Sequence, residues 1–292
     1  MKFVVSVDVC SETSGGVNVL LQLAKRLHDR GHSSKVYLRH KHTAVFNNIY
    51  ANYIEPSEID DETIVIYPEM DVGNELKAKR IVRLVLYGSR MYGMYQPGEI
   101  IYYHAPFCKN NRISNQLTSL YLPPGIVNKH LPRTNNSCYV IKKGRRYPFV
   151  RSLFQHYTGP SLCLDNVSRH SDLVQMFNTT KYFHCYDPCC FLFIMALMCG
   201  CVVVQHPVEG YSEEEWRYTI GIGDLPGIAY GYDKIQKAEE TIGEAYAKCV
   251  EFLNNMDKTI DRFVHEIETG TYDTKECYRF TESPYSLLHE NC

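Results

Sequence analysis

Short, nearly unbroken apolar runs alternate along this chain with stretches in which apolar residues recur at helical spacing. Lys2 to Val9 is such a run, the pattern of a strand buried on both faces of a parallel sheet. A small, polar loop follows from Cys10 to Gly16. Val19, Leu20, Leu23, Ala24 and Leu27 then share one face of a helix over Val17 to Arg30, and Gly31 supplies its stop. Lys35 to Leu38 reads as a second strand. The alternation predicts a strand over Thr63 to Tyr67 and a helix over Glu75 to Tyr87, with Leu76, Ile81, Leu84 and Val85 on its apolar side. Strands over Glu99 to His104 and Gln116 to Leu122 complete this series.

Asn128 to Asn136, polar and interrupted by Pro132, suits a linker. A second series follows it. Strands are predicted over Ser137 to Lys143, Ser161 to Leu164, Lys181 to Tyr186 and Cys201 to Gln205. Helices are predicted over Ser168 to Phe177 and Pro188 to Met198, with two closing amphipathic helices over Ile235 to Asn255 and Lys258 to Glu268. Two successive β/α series predict an α/β protein of two Rossmann-like, doubly wound domains, 1–134 and 135–292. The last helix is placed to pack back on the N-terminal domain. A chain of 292 residues is long for one domain and comfortable for two.

Composition narrows the functional classes. A formal net charge of −2 offers no basic excess for nucleic acid. The apolar run Cys189 to Val204 is 16 residues long, below the roughly 20 that cross a bilayer, and Gly200 interrupts it. Twelve scattered cysteines and no secretory leader point to reduced thiols in the cytoplasm, so the sequons at Asn135, Asn166 and Asn178 are expected to be chance matches. The paired Cys-x2-Cys units of structural zinc are absent, as is any Asp-x-Asp, so neither a metal nor another cofactor is expected.

Candidate chemistry gathers at strand ends, because ligands of open α/β sheets bind at the carboxyl edge. Asp8, Glu69 and His104 each follow a strand of the first half. Glu69 is a candidate base or acceptor ligand. His104 can bond a ligand hydroxyl or accept a proton, or serve as a structural hydrogen-bonder. Gly15 and Gly16 let a ligand approach the backbone at the helix start, although a plain tight turn explains them equally well.

Gly15-Gly16 followed by Leu20, Leu23-Ala24, Leu27 and Gly31-His32 resembles the N-terminal segment of family 4 GT-B glycosyltransferases. A second resemblance is more specific. Those enzymes carry two glutamates eight positions apart, the second opening an apolar helix that ends in Cys/Ala-Gly before a Val-rich strand. Asp187 to Val204 has this layout, with Asp187 at the first acid and Met195 at the second. The resemblance implies the GT-B fold with its interdomain cleft and a nucleotide-sugar donor as co-substrate. It also implies that Asp187 contacts the transferred sugar. Asp187 is open to a second reading, as an N-cap before Pro188. Met195 cannot take the ribose contact, which leaves Glu209, just past the Cys201–Gln205 strand, as its candidate replacement or as a solvated acid. Lys142, Lys143 and Arg145 match a basic pair of the family and would neutralise the departing diphosphate, unless they form an ordinary basic turn. Tyr230 is a candidate for stacking on the base.

The expectation is therefore a metal-independent hexosyl- or pentosyltransferase using a nucleotide sugar and a glycan or glycoconjugate acceptor, without nucleic acid. A non-catalytic GT-B-like binding module and a sugar-nucleotide epimerase remain as alternatives. Met195 leaves the stereochemical outcome open.

Overall fold

The computed structural model describes residues 1–8, 14–39, 49–71, 73–86, 98–105, 115–123, 125–141, 161–165, 167 and 169–272. They form two compact units. One contains Met1–Tyr121 together with the chain from Asn254 onward; the other is Leu122–Leu253.

The first unit comprises β1 (Lys2–Val7), α1 (Gly15–Asp29), β2 (Ser33–Leu38), β3 (Thr63–Pro68), β4 (Arg80–Val85) and β5 (Ile100–Tyr103). Its strands pair in parallel in the order β2-β1-β3-β4-β5. Apolar residues cover both faces, as a central parallel sheet requires. On one face Phe3, Val5, Ile64, Ile66, Val82 and Tyr102 meet α1. They also meet Ile260, Phe263 and Ile267 from the end of the last helix. On the other, Val4, Val65, Tyr67 and Ile81 are covered by Ile54, Leu76 and Ala78 from the connecting segments.

The second unit comprises β6 (Asn135–Val140), β7 (Ser161–Cys163), α2 (His170–Thr179), β8 (Thr180–Cys185), α3 (Leu192–Met198), β9 (Val202–Gln205), α4 (Glu213–Ile220) and β10 (Ile228–Tyr230). Its order is β10-β9-β8-β6-β7, again parallel. Numbered within its own unit, this sheet has the strand order of the first. The chain thus forms the α/β fold class expected, with two parallel sheets of Rossmann-like strand order. A single helix, α5 (Ile235–Thr269), begins in the second unit and ends in the first.

Several elements differ from their expected form. Glu75 to Tyr87 is not a helix: Arg80–Val85 is strand β4, between β3 and β5. Charges at Lys77, Arg80 and Arg83 imitate a helical polar face, but Arg83 is wholly buried and pairs with Glu99 at 2.5 Å. Gln116 contributes only an isolated bridge to Tyr103 rather than a strand. The two closing helices are one, because Asn254 to Asp257 contains no Gly or Pro to stop it. The first helix takes in Gly15 and Gly16, with Ser14 as N-cap.

Candidate active site

A 2-1-3-4-5 sheet reverses its winding between its first and third strands, and the crevice at their carboxyl ends is where ligands bind. In the first unit this switch point lies between β1 and β3. Asp8 follows β1 and Glu69 follows β3. Glu69 is buried and its Oε2 accepts the Leu86 backbone N–H at 3.0 Å. Asp71, also buried, accepts from the Ser6 hydroxyl at 3.0 Å and from Arg39 at 2.7 Å. Burial raises its pKa, and the Ser6 and Arg39 contacts oppose that rise. Behind this loop the Arg83 guanidinium donates to the carbonyls of Asp71 and Gly73 and lies 4.7 Å over the Tyr67 ring.

His104 follows β5 at the same edge. It is buried, and burial lowers its pKa to about 4, so the ring is neutral near pH 7. Its backbone is held by the Val85 carbonyl and by the Thr118 hydroxyl. At the start of α1 the Ser14 side chain makes no cap and the first turn contains no acid. The first-turn N–H groups and the positive end of the helix dipole therefore point to this edge with no capping side chain from Ser14. A Cβ on Gly15 would meet no described atom within 4 Å, and one on Gly16 would touch only Leu86 Cδ1 at 3.4 Å.

In the second unit the switch point lies between β6 and β8, and Asp187 stands two residues past β8. Like Glu69, which directly follows the third strand of the first sheet, it lies just past the third strand of its own. Asp187 is 4% exposed. It is not an N-cap: α3 begins at Leu192 and Phe191 takes that position. Asp187 to Cys189 instead form a bend. The Asp187 carbonyl accepts from Gln205 Nε2 at 3.2 Å and from Cys185 Sγ at 3.4 Å.

Beside it, Tyr186 stacks on His206 with centroids 3.9 Å apart and planes 9° apart. His206 Nε2 is 3.4 Å from His184 Nδ1. Burial lowers the pKa of His184 to about 4; burial and His184 lower that of His206 to about 3. Sequence reasoning missed this pair, whose signal was a histidine in or directly after each of two adjacent buried strands.

Glu209 is exposed on the turn after β9. Met195 is buried in the middle of α3, where its thioether offers a ribose hydroxyl no strong acceptor. The Tyr230 ring lies against Trp216, 5.3 Å between centroids, and its hydroxyl accepts from the Val208 N–H and donates to the Tyr211 carbonyl. Tyr230 is 9% exposed. Lys142, Lys143 and Arg145 lie outside the described residues. Among the described residues no group of three or more His, Cys, Asp or Glu side chains could hold a metal ion, and no helix is long and apolar enough to cross a membrane.

No protein-family model and no curated protein sequence matches the chain. Among solved structures, it is similar to an α-glucosyltransferase in complex with UDP and a 13-mer DNA containing a HMU base. That match has 10% identity over 91% of this chain and 95% of the other, at a TM-score of 0.47. It is also similar to the spinosyn rhamnosyltransferase SpnG complexed with thymidine diphosphate, at 8% identity, 92% and 100% coverage and a TM-score of 0.44. A third is the glycosyltransferase VinC in complex with dTDP, at 11% identity, 90% and 100% coverage and a TM-score of 0.44. Similarity at this level carries no residue-by-residue correspondence.

Proposed function

We propose that this chain is a glycosyltransferase that moves a sugar from a nucleoside-diphosphate-sugar donor to a hydroxyl of a glycan or glycoconjugate acceptor. The observation that carries this reading is the repetition of one site design. Two sheets of the same strand order each place a buried carboxylate just past their third strand, Glu69 in one and Asp187 in the other. A two-substrate reaction uses two such crevices. The first, with Glu69 and His104, suits the acceptor; the second, with Asp187, suits the donor sugar.

The departing diphosphate needs positive potential where its charge develops. In this reading the first turn of α1 at Gly15 and Gly16 supplies backbone donors, and Lys142, Lys143 and Arg145 supply cations. Glu209 takes the ribose and Tyr230 borders the base. No metal is required, since the sequence has no Asp-x-Asp to hold one, and catalysis rests on positioning and charge stabilisation. The eight described cysteines are free, in keeping with a reducing cytoplasm.

One observation favours a second reading. Met195, buried and without a carboxylate, suits a degenerate module that binds a nucleotide or glycan without turnover. The test begins with thermal shifts against UDP-, GDP-, ADP- and CMP-sugars, followed by release of nucleotide from the stabilising donor, with and without EDTA. The transferase reading expects release that persists in EDTA. Stabilisation without release supports the binding module, and isomerisation of the sugar without release supports an epimerase. Loss in EDTA with recovery in magnesium overturns the metal-free mechanism.

A further inference from the structure

Between the end of β8 at Cys185 and the start of α3 at Leu192, the backbone of Asp187 and Pro188 is buried but belongs to neither strand nor helix. Buried carbonyls outside regular structure must find donors elsewhere. Here the donors are two side chains, each 1% exposed, from other elements. Gln205, the last residue of β9, donates from Nε2 to the Asp187 carbonyl at 3.2 Å and to the His206 carbonyl at 2.9 Å. It thereby staples the carboxyl ends of β8 and β9 together. Trp216 on α4 donates from Nε1 to the Pro188 carbonyl at 2.9 Å.

Both donors are themselves fixed. The Gln205 carbonyl accepts the Gly231 N–H at 2.9 Å, and the Cys185 carbonyl accepts the His206 N–H at 3.0 Å. Trp216 packs on Tyr230, whose hydroxyl is tied to Val208 and Tyr211. Its helix is capped by a reciprocal Ser212–Glu215 pair and closed by Gly221 in the left-handed conformation. Arg217 on the same helix donates to the carbonyls of Gly223, Leu225 and Ile228. On the other side of Asp187, the Tyr186 ring is clamped against His206. Three successive residues, 186 to 188, are thus held by a ring stack and two side-chain hydrogen bonds.

We infer that Gln205 and Trp216 are positioning residues for Asp187, setting the direction in which its carboxylate leaves the backbone past β8; this rests on the reading above in which Asp187 meets the transferred sugar, taken here as a catalytic contact. A backbone that only needed its carbonyls satisfied would show a loss of stability when a donor is removed. A backbone that aims a reacting group also loses turnover, because displacement by about 1 Å can cost on the order of a hundredfold. Ground-state binding of the donor should be little changed, so the loss falls on kcat rather than KM.

The experiment measures steady-state transfer by the full chain carrying Trp216→Phe, which keeps the ring and removes the N–H, and Gln205→Met, which keeps the length and removes the donors. Tyr182→Phe is the control. It removes a 2.6 Å bond to Glu239 from the same strand β8, away from Asp187. Each change is also combined with Asp187→Asn. The expected result is a drop in kcat of about ten- to a hundredfold for both variants, with KM for the donor within about threefold and the control within about twofold. In the Asp187→Asn background each should cost less than about twofold more, since residues that act through one group are not additive. If Asp187→Asn is impaired while Trp216→Phe and Gln205→Met keep full turnover, the inference falls and the catalytic reading of Asp187 stands. Losses that multiply with that of Asp187→Asn would also overturn it, showing a structural role alone. Full turnover in Asp187→Asn removes the catalytic reading itself, and the inference with it. Should Trp216→Phe fail to fold, Gln205→Met, which leaves the indole anchor in place, decides.

Discussion

At the scale of single residues, two buried charges differ in what they do. Asp187 lies at the carboxyl edge of its sheet, the edge where open α/β sheets bind ligands, whereas Arg83 serves the loop after β3 in the other unit. Its guanidinium, with no exposed surface, is shared among Glu99, the carbonyls of Asp71 and Gly73, and the face of Tyr67. Removing one partner of a buried pair leaves the other charge uncompensated. Arg83→Met should therefore destabilise the chain by about 3–5 kcal/mol in denaturant unfolding. Arg83→Met combined with Glu99→Met should recover most of that loss, and an equally unstable double variant would show that the backbone contacts dominate. Asp187→Asn should behave in the opposite way. Because Phe191 and not Asp187 occupies the N-cap of α3, the change should alter stability by less than about 1 kcal/mol. Turnover should fall on the order of a hundredfold. Normal kcat in a well-folded Asp187→Asn protein would remove this carboxylate from the mechanism.

At the scale of elements, α1 and β4 show how local pattern and context divide the work. The first helix follows from its apolar spacing alone, but its start does not: Gly15 and Gly16 are inside it, not in the loop before it. Glycine in a helix is less favourable than alanine by roughly 0.5–1 kcal/mol. Gly15 is exposed, has no positive φ, and faces no described atom that a methyl group would strike. Gly15→Ala should therefore leave the melting temperature unchanged or higher while raising KM for the donor several-fold, as the methyl enters the approach to the first-turn N–H groups. An unchanged KM would reduce the pair to a feature of the helix start. β4 is the reverse case. Ile81, Leu84 and Val85 satisfy a helical and a strand pattern alike over so short a run, which periodicity alone does not separate. What selects the strand is the open hydrogen-bonding edge of β3 on one side and β5 on the other.

At the scale of the whole molecule, the two sheets share a strand order and are joined by a helix that begins in one unit and ends in the other. Three histidines are buried neutral, His104 and His184 with pKa values of about 4 and His206 of about 3. In the unfolded chain each returns to about 6.5. Between these values the unfolded state binds more protons, so stability present above about pH 6.5 is lost as pH falls toward 4. The slope approaches about 1.4 kcal/mol per pH unit for each histidine. Thermal melts from pH 7.5 to 4.5 should show this decline, and His104→Gln should flatten it. A profile level over that range would mean that the three rings take up protons as readily in the folded chain as in the unfolded one.

The amino-acid order by itself determined the strand runs of β1, β3, β5, β8 and β9, the helix α1, the α/β class, and the carboxyl-edge placement of Glu69, His104 and Asp187. Each of these depends on hydrophobic period or on the handedness of parallel β/α connections, and both are local or general properties of the chain. Only the tertiary structure decided that Arg80–Val85 is a strand, that α5 is continuous, and that Asp187 is not a cap. It alone brought Glu99 to Arg83, and Gln205 and Trp216 to the backbone of Asp187 and Pro188. These partners lie 16 to 28 residues apart in sequence. No repeat along the chain encodes such pairs, because each forms only where packing brings a buried donor to a buried acceptor that no strand or helix satisfies.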